Sequence, residues 1–179
     1  MKKITFLIAT ILYSLNVLSQ QVALNNVVGI DLPNGAQKIT KEQALAHAGK
    51  KFNNDKMVLN SYANMHTGRI LYKFDDIVIS LKAFDTTFKF KKGHAEELKK
   101  GLDEMARRST SYTSILKTIN NNSIVVTNFI NGGAEYYYFY CFNANNTREM
   151  TGSLVFDKAD KDKATAILDH VLNSIKFKD

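Results

Sequence analysis

The run AEYYYFYCF, from Ala134 to Phe142, constrains the fold more than any other stretch of this chain. In a strand, successive side chains point to opposite faces. Tyr136, Tyr138, Tyr140 and Phe142 therefore share one face, and Tyr137, Phe139 and Cys141 share the other. A strand that is apolar on both faces belongs to a sheet that is covered on both faces.

Its neighbours in sequence are strands too. Ile115, Lys117 and Ile119 alternate before a turn at Asn120-Asn121-Asn122. Ile124, Val126 and Asn128 continue the alternation up to Asn131-Gly132-Gly133, a hairpin signal. After the aromatic strand, Asn143 to Asn146 turns the chain, and Met150, Leu154 and Phe156 line a last strand. Gly152 interrupts that strand and points to a bulge or a close backbone approach. Four strands joined by short turns make an antiparallel meander.

Upstream, Val28, Ile30 and Leu32 form a short strand stopped by Pro33-Asn34-Gly35. Thr40 and Gln43 have capping-box spacing, and Ala44, Leu45, Ala48 and Phe52 follow on one helical face, which predicts a helix over 41–51. Asn53 to Gly68 is polar and yields no clear element. Ile70 to Ala83 reads as a hairpin about Asp75-Asp76, or as one long bent strand, and Phe88 and Phe90 would extend the sheet. A second helix is expected over 95–108. Its stripe is Ala95, Leu98, Leu102, Met105 and Ala106, with acid-first pairs Glu96–Lys100, Asp103–Arg107 and Glu104–Arg108. A final helix carries Ala164, Ile167, Leu168, Val171, Leu172 and Ile175 on one wide face. Asp160 is its expected N-cap, and Lys176 and Lys178 suit its C-terminal dipole. The order is thus β-α-ββ-α-ββββ-α, an α/β (α+β) class chain folded as an α/β/α sandwich with a largely antiparallel sheet.

The first 19 residues read as a signal peptide. Lys2 and Lys3 precede an uncharged run from Ile4 to Leu18, and at ~15 residues this falls short of the ~20 that a spanning helix needs. Val17 and Ser19 suit a peptidase that cuts after Ser19, which makes Gln20 the new N-terminus. The layout resembles bacterial export signals. No cysteine stands at the cut to carry a lipid, and no later stretch is apolar over a spanning length. A secreted or periplasmic protein with no transmembrane segment after cleavage is expected. Residues 20–179 are one domain, without repeats or linkers. Loss of Lys2 and Lys3 lowers the formal charge from +7 to +5, a mild basic balance. Cys141 is the single cysteine, so there is no intramolecular disulfide.

Three stretches resemble the Mog1/PsbP-like fold group. They are the opening strand that ends in Pro33, the aromatic meander from Ala134 to Asn145, and GSLVF from Gly152 followed by a helix closing in LNSIKF. The resemblance spans about Val27 to Phe177 and implies a single α/β/α domain. Members of the group are mostly accessory, docking or assembly proteins without chemistry of their own. No partner-binding residue of the group maps onto a position of this chain.

No catalytic or metal motif emerges. His47, His66, His94 and His170 are scattered, without metal-ligand spacing, and read as surface or capping residues. Asp157, Asp160 and Asp162 lack the glycine and the twelfth-position glutamate of a calcium loop, and helix capping accounts for them. Cys141, mid-strand among aromatics, reads as a buried small hydrophobe. Asp75-Asp76 and Glu96-Glu97 fit turn and helix chemistry better than acid–base chemistry, and Ser123 and Ser153 lie in strands without a nucleophile elbow. Lysines are not interleaved with the aromatic strand, so nucleic-acid binding is not expected. No cofactor is expected either.

The candidate binding residues are Tyr136, Tyr138, Tyr140 and Phe142. They either pack under helices, or form a tyrosine surface that docks a protein partner, or line a pocket for a small apolar ligand. The expectation is an exported non-catalytic binding protein, with a carrier of a small apolar ligand as the alternative. An active site gathered from residues distant in sequence stays open.

Overall fold

The structure is a computed structural model that describes residues 19–65, 68–84 and 89–178. The expected leader, apart from Ser19, lies outside the described residues, as do His66 and Phe88.

Asparagine and aspartate do much of the turning. Asn120 and Asn121 both take left-handed φ, 51° and 64°, in a two-residue loop between β6 (Thr113–Ile119) and β7 (Asn122–Asn131). That twist matches the strands it joins. Gly132 and Gly133 play the same part between β7 and β8 (Ala134–Phe142). With β9 (Glu149–Phe156) these strands form the expected meander. The Ile70 to Ala83 region is a hairpin, β4 (Ile70–Phe74) and β5 (Ile77–Ala83), turned at Asp75. β5 pairs with β9, and β3 (Gln37–Ile39) adds to β4, giving an antiparallel seven-stranded sheet in the order β3-β4-β5-β9-β8-β7-β6.

Both faces of this sheet are covered. One face carries Ile77, Ile79, Leu81, Ile124, Phe139, Cys141, Leu154 and Phe156 beneath α4 (Lys161–Ser174) and a small second sheet. That sheet has the order β1-β2-β10, with β1 (Ser19–Leu24), β2 (Val28–Pro33) and β10 (Lys176–Phe177). The other face carries two separate clusters. Leu71, Val78, Tyr136 and Val155 pack against α1 (Lys41–Lys51) and α2 (Lys56–Met65). Val125 and Phe142 pack against α3 (His94–Ala106).

The expected α1 has the bounds read from the sequence, and its Thr40–Gln43 capping box is closed in both directions. Other expectations need correction. α2 fills the polar stretch after Asn53. Asp55 Oδ1 accepts from the Met57 and Val58 amides at 2.8 and 3.0 Å, and Val58 and Tyr62, one turn apart, supply a narrow apolar stripe. β1, β3 and β10 are short or exposed and lack the alternation that marks a half-buried strand. Phe90 does not extend the sheet; its backbone is irregular and its ring packs under α3.

On α3, Leu98 and Leu102 pack toward the sheet, but Met105 does not join them and is 85% exposed. The ion pairs along α3 among the described residues are lysine-first, Lys99–Asp103 and Lys100–Glu104. Asp160 occupies the N-cap position of α4, but its carboxylate takes the Lys51 ammonium at 2.7 Å instead. Asp157 caps the short turn before it. The chain leaves α4 at Ser174 in extended conformation, so Lys176 belongs to β10 and not to a helix terminus. At Gly152 the strand register is unbroken, and close approach is the reason for the glycine.

Candidate functional site

The four aromatic residues of β8 that share a face meet three different environments. Tyr136 is fully buried under α2, its ring stacked on Phe129 with centroids 4.9 Å apart. Burial pushes its phenol up to about 12, with the Ser61 hydroxyl opposing the shift. At the other end, Phe142 is 1% exposed and meets Phe90 and His94 edge-on at 5.2 and 5.0 Å. His94 opens α3 and stacks on Phe90 at 4.5 Å, so it serves as part of an aromatic cluster.

Tyr138 and Tyr140 lie between these covers, half-buried, their rings 4.9 Å apart. Burial, with Tyr138 and Glu149 adding to it, pushes the Tyr140 phenol up to about 12. Around them the sheet face turns polar. Ser80, Ser153, Tyr138 and Thr127 stand in register on β5, β9, β8 and β7. The next row holds Lys82, Thr151 and Tyr140. Arg69, just before β4, reaches into the first row. Its Nε donates to Ser80 Oγ at 2.8 Å and its Nη1 to the Tyr138 hydroxyl at 3.1 Å, and its guanidinium carbon lies 5.4 Å from the Tyr138 ring centroid.

The remaining candidates fall apart in space. Cys141 is on the opposite face of β8, fully buried, and burial raises its thiol well above the ordinary range, so it is no nucleophile. His47 rests near the Asp76 carbonyl at 3.2 Å, and burial lowers its pKa. Asp75 pairs with Lys163, and Asp76 with Lys51. Among the described residues, no three His, Cys, Asp or Glu side chains gather as a metal would need. Arg69 was not legible as a site residue. Its only signal is indirect: the β5 face that carries Val78 turns polar at Ser80 and Lys82, while Ile77, Ile79 and Leu81 stay apolar.

No protein-family model matches this chain, and no curated protein sequence matches it. A solved structure does resemble it: the solution structure of cyanobacterial PsbP (CyanoP) from Synechocystis sp. PCC 6803, with TM-score 0.50 over 89% of this chain and 92% of that one. The fold is PsbP-like. Identity over the match is 9%, so the likeness is one of fold and carries no residue's role across. Within this PsbP-like fold, no helix among the described residues is long and apolar enough to cross a membrane.

Proposed function

We propose that this chain is an exported, non-catalytic accessory protein that works by docking on another protein. The observation that supports this reading best is the outer edge of the large sheet. Among the described residues β6 pairs with β7 on one side only, and it is seven residues long. Ile115 and Leu116, on its two faces, are 47% and 37% exposed. Edge strands are ordinarily kept short or strewn with charge; this one carries a single charge, Lys117, tied to Asp169 at 3.3 Å.

Beside the edge runs a groove of about 230 Å³ between β6 and α4, lined by Ile115, Val126, Tyr137 and Leu168 among others. An extended segment of a partner polypeptide would add to β6 as a further strand. Main-chain hydrogen bonds would hold it, and the groove would receive one of its side chains. Arg107 and Arg108 are exposed just before β6, and a mature charge of +5 favours an acidic segment.

The test is native mass spectrometry of the mature protein purified gently from its own host, alongside the Ile115→Lys variant. The expected result is a polypeptide that stays on the native protein and is lost from the variant, with Tm unchanged. A bare monomer, or a partner retained by Ile115→Lys, overturns the reading. A small bound mass in place of a polypeptide would favour the carrier.

A further inference from the structure

The polar floor between the two helical covers holds donors that find no partner among the described residues. Arg69 grips Ser80 on β5 and Tyr138 on β8, and the strand between them, β9, presents Ser153 in the same row. The guanidinium therefore bridges across the Ser153 position. Its third nitrogen, Nη2, is buried and has no hydrogen-bond partner among the described residues. Ser153 Oγ and Thr151 Oγ1, on the same face of β9, are also buried and without partners among the described residues. Ser153 is 0% and Thr151 4% exposed. A buried polar group left unsatisfied costs about 1–3 kcal/mol, so three within two adjacent rows need a physical reason.

Charge narrows the reason. Among the described residues, the hydrogen bonds of Arg69 go to neutral hydroxyls, and no carboxylate lies within ion-pair distance of it. Lys82 stands on this face in the Thr151 row, its ammonium 4.8 Å from the Phe84 ring centroid. Glu149, one row further, is the acid on the face here. Among the described residues, two cations thus face one acid, over hydroxyls that can donate.

We propose that Arg69, Ser153 and Thr151 form a binding site for an anionic oxygen group, a carboxylate or a phosphate, on a small ligand. The guanidinium would supply charge and a directed N–H from Nη2, and the two hydroxyls would donate to the remaining oxygens. Tyr138 holds the guanidinium in place from one side and Ser80 from the other. The assignment is independent of the docking reading.

The test uses the mature chain and two probes, inorganic phosphate and citrate, in separate titrations that follow the Arg69 Nε–H resonance. Saturable shifts at millimolar probe are expected with at least one of them. A response to phosphate alone identifies the phosphate source, and a response to citrate alone the carboxylate. Ser153→Ala should weaken binding about tenfold, ~1.4 kcal/mol. It removes an unpartnered buried hydroxyl, so the free variant should melt no lower than the native protein. Arg69→Lys keeps the charge but loses the fork, and should bind about tenfold more weakly as well. Absence of saturation with both probes up to tens of millimolar, or native affinity in Ser153→Ala, overturns the proposal.

Discussion

Phe139 lies over the backbone of Gly152 so closely that a Cβ added to the glycine would stand 2.2 Å from its Cζ. The two residues face each other in register on β8 and β9, at the centre of the larger core. Glycine is there because a fully buried ring occupies the space that any other side chain would need. Gly152→Ala should destabilise the protein by about 1–3 kcal/mol through overpacking. At this chain length that lowers Tm by roughly 2–4 °C per kcal/mol. Phe139→Leu opens room, so Gly152→Ala should cost less in that background. Equal costs in the two backgrounds, measured by thermal denaturation, would refute the packing explanation.

Glu135 is 3% exposed at the start of β8, where it accepts from Lys161 Nζ and from Asn128 Nδ2. Lys161 is the half-exposed first residue of α4, so this pair ties the helix to the sheet. Lys161→Met leaves a buried carboxylate with one neutral donor and should cost about 1–3 kcal/mol. Adding Glu135→Gln removes the stranded charge and should recover most of that loss. Denaturant midpoints of the two single variants and the double variant check the order; a double variant weaker than Lys161→Met alone contradicts it.

What could be read along the chain was what local chemistry decides. The Thr40–Gln43 box sets the start of α1, and Asn120-Asn121 sets the β6–β7 turn, each within a few residues. α2 was illegible because its signals are sparse: one aspartate cap and two apolar residues a turn apart. β1 and β10 owe their existence to β2, and β10 pairs with it across almost the whole chain. The candidate site needed more still. Ser80, Ser153 and Tyr138 become neighbours only through the registers of β5, β9 and β8. No residue pattern along the chain states those registers, so Tyr138 could be picked out from the sequence but its partner Arg69 could not.

Glu149 supplies a pH dependence with an unusual sign. Burial pushes its carboxyl above the ordinary range, with Lys82 opposing the shift. The folded protein thus holds this proton more tightly than the unfolded chain does. Ionisation therefore costs stability as pH rises from about 4.3, the unfolded value, through the higher folded value. Glu149→Gln should raise Tm at pH 7 and leave it unchanged near pH 3. Thermal melts at the two pH values decide this, and an equal shift at both would mean that the effect is not one of charge.

Cys141 can report how the whole core opens. It lies mid-strand in β8, fully buried in the cluster beneath α4, and burial holds its thiol in the protonated form. No thiol reagent can reach it in the folded state, so labelling requires β8 to be uncovered. As an interior strand of the large sheet, β8 should open only with global unfolding. When reclosing outpaces the reagent, the labelling rate follows the population of the open form. Gly152→Ala, if it costs about 1.4 kcal/mol, should then speed labelling about tenfold, in step with its loss of stability. Mass spectrometry of the labelled chain over time, set beside the denaturant-derived stability of each variant, checks the proportion. Fast labelling that is indifferent to Gly152→Ala would mean that β8 is exposed by a local motion, with the core otherwise intact.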